Sequence, residues 1–146
     1  MRIQTITGVI TLFLILGFNG SPVLADDAAV LAAVERQSSA FKNRDVEGLV
    51  ANMAEDFTAY RMADDGPMAV IQGREQAAEQ LSRTFGGTSS YLESEIPETL
   101  VVKDMVVQVE LDTFQTDDGP KTSTTLAIYH VKDGKMWRSY NFRLPD

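Results

Sequence analysis

From Asp26 onward, apolar side chains recur at three- and four-residue steps. Val30, Val34 and Phe41 fall on one line with Leu31 and Ala33 beside it, the spacing of one helical face. This predicts a first helix of about four turns. Asp45 offers a carboxylate to cap a second helix, and Val46, Leu49, Val50 and Met53 follow at i, i+3, i+4 and i+7. The period then changes. Phe57 to Met62 is rich in aromatic and β-compatible residues, runs into the turn signal Asp64-Asp65-Gly66-Pro67, and returns through Ala69-Val70-Ile71 as a hairpin. After Gly73, the segment Arg74 to Phe85 gathers Ala77, Ala78, Leu81 and Phe85 on one side and stops at Gly86-Gly87, which gives a third helix.

The remainder has the two-residue period of strands. Val107, Val109 and Leu111 alternate with Gln108, Glu110 and Asp112, which predicts a strand with the polar set on a wet face. Asp117-Asp118-Gly119-Pro120 reads as a hairpin connection. Thr122 to Val131 then returns as a strand whose centre, Leu126 to Tyr129, is apolar on both faces and belongs mid-sheet. Asp133-Gly134 turns the chain into a last strand from Met136 to Phe142, and Tyr91 to Ile96 is a weaker strand whose extension to Val102 meets a break at Pro97. The expected fold is α+β. Three N-terminal helices, with a hairpin between the second and third, cover one face of a curved antiparallel sheet and leave a ligand-sized hollow between the layers.

The first 25 residues have a different character. Arg2 is their only charge, and Ile6 to Phe18 is dominated by Ile, Val, Leu and Phe over a span too short to cross a bilayer. With Val23-Leu24-Ala25 as the cleavage site, residues 1–25 read as a signal peptide and residues 26–146 as the mature domain, exported to the periplasm or secreted, with no membrane attachment after cleavage. Removing the leader leaves 121 residues with a net charge of −9. The chain has no cysteine, so disulfides, thiolate nucleophiles, iron–sulfur clusters, cysteine-bound zinc and a lipid anchor are excluded. A single histidine excludes a multi-histidine metal site, and no metal or cofactor is expected. An excess of 21 Asp and Glu over 13 Lys and Arg repels phosphate backbones, so nucleic acid is not an expected partner.

Four short runs then carry a resemblance: Arg44-Asp45-Val46-Glu47-Gly48-Leu49-Val50, Ala54-Glu55-Asp56-Phe57-Thr58, Gly73-Arg74-Glu75-Gln76-Ala77, and Asp133-Gly134-Lys135-Met136. In this order they resemble the nuclear transport factor 2-like superfamily, and within it the SnoaL-like and ketosteroid-isomerase-like branch. The resemblance implies a cone-shaped scaffold over Asp26 to Leu144. It implies little about chemistry, because the superfamily hosts isomerases, dehydratases, epoxide hydrolases, cyclases and non-catalytic subunits. Several of these residues also have plain structural duties: Asp45 caps a helix, Gly73 eases a strand-to-helix turn, and Asp133-Gly134 makes a hairpin.

The isomerase residues do not carry over. The position of the catalytic base falls on Arg61, that of the tyrosine on Gln37 and that of the late aspartate on Ala127, so isomerase activity by that mechanism is not expected. His130 faces away from the hollow by strand alternation and reads as a structural or surface residue. The pairs Glu55-Asp56, Asp64-Asp65 and Asp117-Asp118 read as solvated carboxylates at helix ends and turns. The same register puts Arg61, Thr125, Tyr129, Ser139, Asn141 and Arg143 around the hollow with Ala127, a polar and cationic lining that favours a small organic anion. A binding domain is the first expectation. The alternative is a hydrolase, lyase or cyclase in which Arg61, Tyr129 and Asn141 act as donors beside a bound water. Trp137, Tyr140, Phe142 and the strand from Met105 to Phe114 offer apolar area for a homodimer, which relatives of this fold commonly form.

Overall fold

Asp45 separates the first two helices, α1 (Ala25–Lys42) and α2 (Val46–Ala51), and its carboxylate accepts the Gly48 amide at 2.9 Å. The computed structural model describes residues 25–86 and 91–144. The predicted leader therefore lies outside the described residues except for Ala25, which opens α1. Met53 does not continue α2. It begins the strand β1 (Met53–Ala63), where it is buried on the inward face, so an apolar residue at i+7 of the helix is also the first inward residue of the strand. Glu55 and Asp56 accordingly lie within β1 rather than at a helix end.

Strand β2 (Gly66–Gln72) returns beside β1, and Gly73, at φ +82°, releases the chain into α3 (Gly73–Gly86). The Arg74 guanidinium ties the start of α3 to the sheet by donating through Nε and Nη2 to the Met53 carbonyl at 2.8 and 2.6 Å. Four strands follow: β3 (Tyr91–Val102), β4 (Met105–Thr116), β5 (Gly119–Lys132) and β6 (Lys135–Arg143). Strand β3 passes through Pro97 at a register shift between Glu95 and Glu98, the kind of edge irregularity that tolerates a missing amide. The β5–β6 hairpin turns on Asp133 and Gly134, both at positive φ, as a tight right-twisting connection requires.

The sheet order is β2-β1-β6-β5-β4-β3, which sets β5 inside the sheet as its apolar centre predicts. One expectation is corrected. The sheet is mixed, because β1 and β6 run parallel. Hairpins fix direction within the β1–β2 pair and within the β3-to-β6 meander, but no hairpin joins the two blocks, so antiparallel pairing is not imposed at their seam. The sheet is curved and unclosed, and the helices pack on one face. Between the layers sit Ala33 and Val34 from α1, Leu49 from α2, Ala77 from α3, and Met53, Phe57, Ala59, Val106, Ala127, Val131 and Met136 from the strands, all buried.

A second correction concerns β4. Val106 and Gln108 are buried at 0% and 4% exposure, and Glu110, Asp112 and Phe114 in the same phase line a cavity under the helices. The polar alternates therefore face inward, and Val107, Val109 and Leu111 lie on the sheet face away from the helices.

Candidate active site in the cavity under the helices

The cavity has a volume of about 340 Å³, within the range of small-molecule sites. Its roof is Gln37, Ser38 and Phe41 of α1, Leu49 of α2, and Leu81 and Thr84 of α3. The sheet supplies Phe57, Ala59 and Ile71 near one edge, Ser139 and Asn141 in the middle, and Tyr91, Ser94, Ile96, Glu110, Asp112 and Phe114 near the other. One side is walled by a chain of edge-to-face rings, Phe85 on Phe41 at 5.1 Å, Phe41 on Tyr91 at 5.2 Å, and Tyr91 on Phe114 at 5.8 Å. Most of the lining is apolar, with polar groups confined to a few points.

The chemistry concentrates on β4 and β5. The Tyr129 hydroxyl donates to Glu110 Oε1 at 2.5 Å. The two residues are two steps apart along the β4–β5 ladder, and the inward residue between them on β5 is the fully buried Ala127, small enough to leave room for the ring. Burial pushes the Glu110 carboxyl above the ordinary carboxylate range. The Tyr129 hydrogen bond pulls it partly back, and the neighbouring Asp112 charge pushes it further up. Asp112 is also raised by burial, against a hydrogen bond from Ser94, its partner in the β3–β4 ladder. Tyr129 is raised well above the ordinary phenol value, first by burial and then by the Glu110 charge, so it stays protonated and donates. No lysine or arginine lines the cavity among the described residues. Two partly buried carboxyls thus face the cavity without a lysine or arginine beside them, an arrangement that favours proton uptake and release over anion binding.

The SnoaL-like domain family matches residues 34–139, nearly the whole span from the middle of α1 to β6. The chain belongs to the SnoaL-like family. Three solved structures overlay on it with high coverage. An LEH-like epoxide hydrolase from M. tuberculosis is 17% identical, with a TM-score of 0.65 over 80% of this chain and 84% of that one. A putative SnoaL-like polyketide cyclase from Jannaschia sp. CCS1 is 18% identical, with a TM-score of 0.67 over 87% and 91%. A hypothetical protein with a ketosteroid isomerase-like fold from Catenulispora acidiphila DSM 44928, in complex with trimethylamine, is 15% identical, with a TM-score of 0.60 over 75% and 82%. At these identities the likeness establishes the fold and no activity. No curated protein matches the chain.

In this SnoaL-like domain the sequence-predicted site residues separate into two sets. Tyr129, Ser139 and Asn141 line the cavity. Arg61, Thr125 and Arg143 do not. They share the inward face, since Arg61 pairs with Asn141 and Thr125 with Arg143, but alternation fixes a face and not a position along the strand. Arg61 lies near the turn of the β1–β2 hairpin, opposite the exposed Met68, and Arg143 closes β6. Both guanidiniums are exposed. Thr125 is half-buried and directly opposite Glu110. The α3 carboxylate Glu79 pairs with Arg83 at 3.2 Å on the same exposed helix face. His130 stands outside the cavity, bonded to Asp104 at 2.6 Å and edge-on to Trp137. The functional candidates that sequence reasoning misplaced are Glu110 and Asp112.

Proposed function

We propose that this is an exported SnoaL-like domain which takes a small, uncharged, largely apolar organic molecule into the cavity, and that Glu110 transfers a proton to or from it. The reading covers a hydrolase, lyase, isomerase or cyclase of the acid–base type. It replaces the anionic ligand suggested by Arg61 and Arg143, since neither reaches the cavity. The single observation that carries it is the Glu110–Tyr129 hydrogen bond inside a cavity that no lysine or arginine lines among the described residues. A carboxyl raised above the ordinary range holds its proton more firmly and is a stronger base once ionised, and the Tyr129 hydroxyl steadies its ionised form. Asp112, one inward position along β4, adds a negative charge that raises the Glu110 carboxyl further and so disfavours the doubly charged state.

Exchange of the α-hydrogens of a ketone such as α-tetralone into D₂O, followed by ¹H NMR, reads proton transfer directly. The intact domain should catalyse it, and Glu110→Gln should slow it by about 10²- to 10⁴-fold while the fold is kept. Tight binding without exchange would make the domain a binding protein, and exchange unaffected by Glu110→Gln would remove Glu110 from the chemistry.

The outer sheet face supports a homodimer as part of the same proposal. Leu100, Val107, Ile128, Tyr140 and Tyr60 are successive ladder partners there, forming one apolar row across five strands, with Tyr60 stacked on Tyr140 at 4.9 Å. A second copy would cover this row, and a monomeric mass by light scattering at micromolar concentration would reject it.

A further inference from the structure

Asn52 caps the C-terminus of α2 and is buried at 8% exposure. Its Nδ2 donates to the Ala33 carbonyl at 2.8 Å and to Gln37 Oε1 at 2.9 Å, while its Oδ1 accepts from Arg36 Nε at 3.2 Å. A backbone carbonyl can only accept and a guanidinium can only donate, so these partners allow one orientation of the Asn52 amide. That orientation in turn dictates the next. Gln37 must turn its oxygen toward Asn52, which leaves its Nε2 to face elsewhere. Gln37 lines the cavity from α1, and among the described residues no protein acceptor meets its Nε2.

We propose that Gln37 is a fixed hydrogen-bond donor of the cavity, and that the ligand carries an oxygen acceptor, a ketone or related carbonyl, which meets Nε2. The inference rests on the cavity being the ligand site and adds the functional group that the site selects. An unrestrained glutamine serves donor and acceptor ligands alike by rotating its amide. Here rotation would bring Gln37 Nε2 against Asn52 Nδ2, two donors facing each other, so the roof is committed to donating. With Glu110 and Tyr129 on the sheet below, a carbonyl compound would have its oxygen held from the helix layer and its acidic hydrogens offered to the carboxyl.

Two compounds with one skeleton separate the claims: α-tetralone, which has the carbonyl, and tetralin, which lacks it. In NMR titrations of the ¹⁵N,¹³C-labelled domain, both should move the side-chain signals of Phe41, Ile71 and Leu81. Only α-tetralone should move the Gln37 side-chain amide pair, identified by its absence in Gln37→Met. It should bind about tenfold more tightly than tetralin, and Gln37→Met should abolish the difference. Asn52→Asp, which can only accept, should turn the Gln37 amide and shift the preference from α-tetralone to the alcohol α-tetralol. Should that buried substitution unfold the domain, the half-buried Gln37→Met still decides. Binding of α-tetralone with unmoved Gln37 amide signals, or an unchanged preference in Gln37→Met, would overturn the donor role while leaving the cavity reading intact. Failure of both compounds to move Phe41, Ile71 and Leu81 would overturn the cavity reading and this inference with it.

Discussion

The two faces of the sheet treat carboxylates in opposite ways. On the inner face Glu110 and Asp112 are raised, because burial removes water and no cation replaces it. On the outer face and its rim Asp56 and Asp104 are lowered, because Trp137 Nε1 donates to Asp56 at 2.9 Å and His130 meets Asp104 at 2.6 Å in the open. Cations are distributed the same way. Lys132 and Arg138 lie over the Trp137 ring at 5.1 and 4.1 Å outside, and none lines the cavity inside. Asp56 and Asp104 thus have donors in the open, whereas Glu110 and Asp112 are partly withdrawn from water with no cation beside them. Uncompensated, desolvated carboxyls oppose folding, which is the reason to assign them to function.

The largest expected effect comes from apolar residues on the two sides. Leu49, 1% exposed in the cavity roof, should cost about 2–5 kcal/mol when changed to alanine, whereas Val102→Ala, at a site 42% exposed at the end of β3 and outside the apolar row, should stay within about 0.5 kcal/mol. Urea unfolding of the two variants checks this, and equal losses would break the distinction between the faces.

The next effect is pH dependence. A carboxyl raised in the folded state contributes stability below its unfolded value and loses it as pH rises through the folded one, so Glu110 and Asp112 should weaken the domain as pH rises above about 4, the ordinary carboxylate value. The double variant Glu110→Gln, Asp112→Asn should be more stable than the parent at pH 7, with the gap closing toward about pH 4. Thermal melts across that window check the sign, and a gap that widens on acidification would contradict it. The smallest effect is outside. Trp137→Phe removes the donor to Asp56, a lowered carboxyl whose contribution is present above its unfolded value. The melting temperature should then fall slightly at pH 7, and the difference from the parent should close below about pH 4.

Much of this architecture is legible in the sequence. Three helices, the Asp45 cap and the turns at Asp64-Asp65, Asp117-Asp118 and Asp133-Gly134 follow from periodicity and turn chemistry. So does the inward phase of Tyr129, Ser139 and Asn141. The inner face of β4 was readable too, but by another route. Period-two alternation says which residues share a face and not which face is dry, so Gln108, Glu110 and Asp112 read as wet. Two signals oppose that reading: Val106 and Phe114 are apolar at both ends of the same phase, and a two-residue turn at Asp117-Asp118 pairs Glu110 with Thr125, already assigned inward. The positions of Arg61 and Arg143 along their strands were not readable, because they depend on how far the helix layer extends over the sheet. The parallel β1–β6 seam is hidden for a similar reason, since the two strands are joined by no local turn.

The central claim is that Glu110 is a partly desolvated carboxyl with no cation beside it, raised above the ordinary range, whose proton is exchanged with a ligand. Its side-chain ¹³C carboxyl shift, followed by NMR through a pH titration of the intact domain, measures this directly with Asp56 as an internal reference. The account predicts a Glu110 midpoint above the ordinary carboxylate range and an Asp56 midpoint below it. A Glu110 midpoint at or below the ordinary value, in a domain whose Tyr129–Glu110 hydrogen bond is intact, would contradict it.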